Sequence, residues 1–116
     1  MRPTGDDMTA IELYCHRTEA LWGTVWAEIK DGKLTVSGQD LGQPVKEWFV
    51  SDEFEYSCSF DEPNTRKLFS TLSDSSSDPI KAFIERFSGP RSFWELKDFC
   101  NEANIPYEYF SWHSFD

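Results

Sequence analysis

Apolar and polar residues alternate along the first half of the chain. In TAIELYCH, residues 9–16, Ile11, Leu13 and Cys15 alternate with Glu12, Tyr14 and His16. That is the period of a strand with one buried face. LWGTVWAEIK, residues 21–30, repeats it: Val25, Ala27 and Ile29 face a core, leaving Trp22, Thr24, Trp26 and Glu28 on the other side. Asp31-Gly32 comes next, a hairpin signal because both central positions of the tight turn need positive φ. A third strand, KLTVSG, then points Leu34 and Val36 inward. GQDLGQPVKEWFV, residues 38–50, carries Gly38, Gly42 and Pro44 and reads as a loop with one helical turn at PVKEWF. A fourth strand lies in SDEFEYSCSFDE, residues 51–62, with Phe54, Tyr56, Cys58 and Phe60 on one face.

From residue 61 the period lengthens. Asp61 suits an N-cap and Pro63 the first turn of a helix ending near Leu72, with Leu68, Phe69 and Leu72 inward. SDSSSD, residues 73–78, is a polar loop whose last residue, Asp78, caps the next helix. Pro79 starts that helix, and Ile80, Phe83, Ile84 and Phe87 form its apolar stripe. Ser92 and Glu95 have the spacing of a capping box. The helix they open carries Phe93, Leu96, Phe99, Cys100 and Ala103, and stops at Asn104 before Pro106. The aromatic ending, residues 105–115, predicts a last strand. The expected fold is α+β: a mainly antiparallel sheet of about five strands with two or three helices packed on one face. Residues 1–8 are polar and are read as a flexible leader to a single domain over residues 9–116.

Composition narrows the function classes. The chain carries 11 Lys and Arg against 21 Asp and Glu, a formal net charge of -10. Bare nucleic acid is then an unfavourable ligand, because phosphate binding depends on basic side chains. A basic protein partner is favoured by complementary fields. The charge is unevenly placed. Residues 40–62 hold Asp40, Glu47, Asp52, Glu53, Glu55, Asp61 and Glu62 against Lys46 alone. Asp61 and Glu62 suit the positive end of a helix dipole. The other five acids lack a local structural role.

The cysteines, Cys15, Cys58 and Cys100, are widely spaced and odd in number, which points to reduced thiols in the cytoplasm. They lie on expected inward faces. With His16 and His113 they make no paired zinc-ligand spacing, so neither metal nor cofactor is expected. No phosphate loop, nucleophile elbow or H-E-x-x-H occurs, and no apolar run approaches a membrane span. These features favour a non-enzymatic protein that does not enter the membrane. Aromatics make up 16% of the chain, and exposed aromatics flanked by charge resemble the anchors of protein interfaces. The candidate partner-binding set is Trp22, Trp26, Asp40, Glu47, Trp48, Asp52, Glu53 and Glu55.

The segments ELYCHRTEALWGTVWAEIKDGKLTVSGQDLG, DEFEYSCSF and IPYEYFSWHS together resemble a group of small acidic bacterial proteins, with LTVSGQDLG and the aromatic ending as the most diagnostic pieces. In size, acidity and α+β pattern the chain is also similar to the cytosolic immunity proteins of toxin–immunity systems. That resemblance implies an inhibitor of a basic toxin such as a nuclease. A phage-encoded acidic mimic of nucleic acid, blocking a defence nuclease, is the alternative. A homodimer through the Trp22–Trp26 face is a further one.

Overall fold

The computed structural model describes residues 9–17, 21–42, 53–72 and 78–113. Five strands form one antiparallel sheet in sequence order: β1 Thr9–Arg17, β2 Leu21–Lys30, β3 Lys33–Gly42, β4 Glu53–Ser59 and β5 Glu108–His113. Between β4 and β5 the chain makes three helices: α1 Glu62–Leu72, α2 Pro79–Arg86 and α3 Ser92–Ala103. The expected α+β architecture is the one observed, and the last strand returns to the sheet beside β4.

The local signals act as the residue types dictate. Asp31 and Gly32 both take positive φ, 54° and 76°, and close the β2–β3 hairpin. Asp61 accepts from the Asn64 amide at 2.9 Å, and Asp78 from the Ile80 amide at 3.0 Å, so each satisfies a free amide at a helix start. Asn104 ends α3 in the left-handed region. The helices pack on the inner face of the sheet. There Leu34, Val36, Val25, Ala27 and Cys58 meet Leu68, Phe83, Phe87, Phe93, Leu96 and Cys100 in one buried cluster. Edge-to-face rings knit the helices together: Phe69 on Phe83 at 5.7 Å and Phe87 on Phe99 at 5.6 Å. A buried bond ties the hairpin to α1, the Leu34 amide donating to Thr65 Oγ1 at 3.0 Å.

Three expectations need correction. The β1 alternation breaks at Leu13, where Glu12 pairs with Trp26 but Tyr14 pairs with Val25. This bulge inserts one residue and reverses the parity of the strand beyond Leu13. Tyr14 therefore turns to the inner face, and Cys15 is exposed rather than buried. Residues 38–42 are strand, not loop. Gly38 continues the ladder because its missing Cβ makes room for the Tyr56 ring: an added Cβ would sit 2.6 Å from the Tyr56 hydroxyl and closer still to its ring carbons. The Ser92–Glu95 capping box does not form. Ser92 is the first helical residue, Arg91 is the cap residue, and no side chain caps the turn. The helical turn expected at PVKEWF lies outside the described residues.

Candidate protein-binding face

Strand parity assigns each side chain to a face. The outer face, turned away from the helices, draws rows of one residue per strand. Cys15, Thr24, Gln39, Glu55 and Trp112 stand directly opposite one another in sequence across the sheet. The neighbouring row is Glu12, Trp26, Ser37, Ser57 and Phe110. None of the ten side chains in these two rows is buried. Phe110 is 61% exposed and Trp112 45%. Trp26 is half-buried.

These rows build a trough. Ser37 and Ser57 floor it with small hydroxyl side chains, Trp26 stands on one side, and Phe110 with Trp112 stands on the other. Its walls are three strand spacings apart, about 14 Å. At one end two carboxylates meet. Gln39 Nε2 donates to Glu53 Oε2 at 2.7 Å and to Glu55 Oε2 at 3.2 Å. The shared amide draws the two acids together, and Glu55 is held above the usual carboxylate range. Its hydrogen bond to Glu53 is the main cause, with burial and the Glu53 charge adding and the Gln39 bond opposing. A cation placed between them would relieve this repulsion. Glu55 also stands directly opposite Trp112, so an incoming Arg or Lys would find both a carboxylate and an indole face.

The structure divides the expected site residues. Trp26, Glu53 and Glu55 share the outer face. Trp22 occupies the β2 position opposite Arg17 and Leu41. Glu47, Trp48 and Asp52 lie outside the described residues. Asp40 is a correction, because it has a local role on the opposite face. It lies in line with Val36 and Gly38, beside Gly23, and pairs with the Tyr56 hydroxyl. Burial pushes its carboxyl up, and the Tyr56 hydrogen bond only partly offsets this. The two aromatics that dominate the face, Phe110 and Trp112, were missing from the expected set. Their signal was available in the alternation of Glu108, Phe110 and Trp112, but only the position of β5 in the sheet shows that this side is open.

Other chemistry is sparse among the described residues. No group of three or more His, Cys, Asp or Glu could hold a metal ion. Burial raises the Cys58 and Cys100 thiols to about 12 each, which leaves them protonated and unreactive in the fold. A cleft of about 400 Å³ between the hairpin and the α1 start is lined by Lys33, Ser59, Phe60, Asp61, Asn64 and Tyr107, without a thiol or histidine. No described helix is long and apolar enough to cross a membrane. Comparison with protein-family models, with curated proteins and with solved structures finds no match to this chain.

Proposed function

We propose that this chain is a non-enzymatic binding protein of the immunity type, which neutralises a basic protein partner such as a bacterial nuclease toxin. The supporting observation is the open sheet face, where Glu53 and Glu55 converge on one amide and Glu55 stands opposite the exposed Trp112. Aromatic anchors beside carboxylates suit docking of Arg and Lys side chains, the acids steering encounter and the rings holding the complex. The net charge of -10 adds a long-range field of the same sign.

The test is kinetic. A partner retained from the native host at low salt and then purified is mixed with wild type, with Glu53→Lys/Glu55→Lys, and with Trp112→Ala. Charge reversal should slow association at least about tenfold at low salt and flatten its salt dependence, whereas Trp112→Ala should mainly speed dissociation. Association and salt response unchanged by the double reversal would refute the reading.

One observation favours a second reading. Outer-face acids are spread over several strands, Glu12, Glu28, Glu53, Glu55 and Glu108, as a mimic of nucleic-acid phosphates requires. Arg17, Lys30 and Lys33 interrupt the set. Under that reading a duplex oligonucleotide competes with the chain for the partner. Under the immunity reading competition depends on whether the blocked site is the nucleic-acid site.

A further inference from the structure

We infer that β5 is an open edge that accepts an extended basic segment of a partner as a sixth strand. This rests on the reading above that the partner is a basic protein, and it adds how that partner is held.

The two edges of the sheet are treated differently. At β1 the Leu13 bulge breaks the regular ladder, and the Leu13 carbonyl accepts from the Gly89 amide at 3.1 Å. Glu12 and Arg17 add charge along it. A bulge, a covering loop and charges are the usual means of stopping a sheet from pairing with another chain. Among the described residues the β5 edge has neither a bulge nor a covering loop, and it carries little charge. Its six residues pair with β4 in unbroken register, from Glu108 opposite Ser59 to His113 opposite Phe54. It contains no proline and one carboxylate, Glu108. Among the described residues no strand lies beyond it. The large hydrophobic residues exposed in the described structure are Tyr109, Phe110 and Trp112, all on this strand. They flank the free backbone edge on both faces, with Phe110 and Trp112 outward and Tyr109 inward. The inner side is held in place by Lys97, whose Nζ lies 3.8 Å from the Tyr109 ring centre.

A strand added here would make main-chain hydrogen bonds and cover all three rings. Charge selects the occupant. On the outer face the incoming side chains would run beside Glu108 and Trp112, with Glu55 one strand further in, which favours Arg or Lys at alternate positions. A second copy of this chain would instead bring two bodies of charge -10 together at that edge.

The probe is a nine-residue synthetic peptide alternating Arg and Val, compared with the same peptide N-methylated at alternate residues and with an alternating Glu and Val peptide. Amide hydrogen exchange and amide shifts of the full chain are followed by NMR, with light scattering for mass. The unmodified cationic peptide should slow exchange along β5 and bind at least about tenfold more tightly than its N-methylated form, which keeps the side chains but loses ladder donors. Equal binding of the two forms would overturn strand addition while leaving the basic-partner reading intact. Perturbation confined to β1, or a dimer sealed through β5 that excludes the peptide, would also overturn it. Preference for the Glu-containing peptide would defeat both inferences.

Discussion

Gly38 and Tyr56 stand opposite each other on β3 and β4, and their fit can be measured as a coupling. A Cβ on Gly38 would lie 2.6 Å from the Tyr56 hydroxyl and nearer its ring. The ring cannot easily retreat. Phe93 meets it at 4.5 Å, Trp94 at 5.1 Å and Phe54 at 5.2 Å. Tyr56 is also 4% exposed, so displacing it opens the core. Overpacking alone costs about 1–3 kcal/mol, and losing a buried aromatic about 3–5 kcal/mol. Gly38→Ala should therefore destabilise by about 3 kcal/mol, a large share of the roughly 5–15 kcal/mol typical of a domain. Gly38 does not have positive φ, so the backbone itself accepts alanine. In a Tyr56→Ala background the same change should be neutral or favourable by about 0.5 kcal/mol, because alanine suits a strand better than glycine. Urea unfolding followed by tryptophan fluorescence, on wild type, both single variants and the double variant, gives a coupling of about 3 kcal/mol. Equal costs for Gly38→Ala with and without the Tyr56 ring would refute the packing argument.

Asp40 makes a prediction about pH. Its carboxyl is raised in the fold, so above the folded value the ionised group costs stability relative to the unfolded chain, and below the ordinary value of 3.8 the cost vanishes. Asp40→Asn, which can still accept from the Tyr56 hydroxyl, should stabilise at about pH 7 and make no difference at about pH 3; denaturant titration at both values checks this, and destabilisation near neutrality would contradict it. Thr65→Val removes the acceptor of the buried Leu34 amide and should cost about 1–3 kcal/mol, with Thr65→Ser recovering most of it in the same unfolding assay. Cys15 should react with a thiol reagent at once, while Cys58 and Cys100 react only on unfolding; three fast thiols in native buffer would exclude the burial described.

The elements legible in the sequence were those with a local physical cause. Asp31-Gly32 permits one tight turn, Asp61 and Asp78 supply caps, and the Phe83–Phe87 stripe has a helical period. What stayed hidden depends on neighbours distant in sequence. Nothing in IELYCH marks Leu13 as the extra residue; the register with β2 decides it, and with it the side taken by Tyr14 and Cys15. Gly38 looks like a strand breaker until Tyr56, on another strand, is seen to need its space. The same holds for the binding face. Glu53, Glu55 and Trp26 could be singled out by their types and parity. Asp40 could not be separated from them, since it lay in a stretch read as loop, where alternation assigns no side. Phe110 and Trp112 sit in a strand with aromatics on both faces, so only the strand order tells which rings remain open.

The insertion of the three described helices between β4 and β5 bears on the order of assembly. The first three strands are joined by short connections and the β2–β3 hairpin is among the most local of contacts, so this part of the sheet can form early. Joining β5 to β4 means closing a loop that holds the three described helices, and the entropy of that closure falls due only when they have packed. On a ribosome β5 is also made late. During that interval β4 is itself the edge, exposing the ladder positions of Glu53 and Glu55. In the finished protein β5 should be the first strand to open, and native-state hydrogen exchange should show Tyr109–Trp112 exchanging through a lower-energy opening than Val25 or Val36.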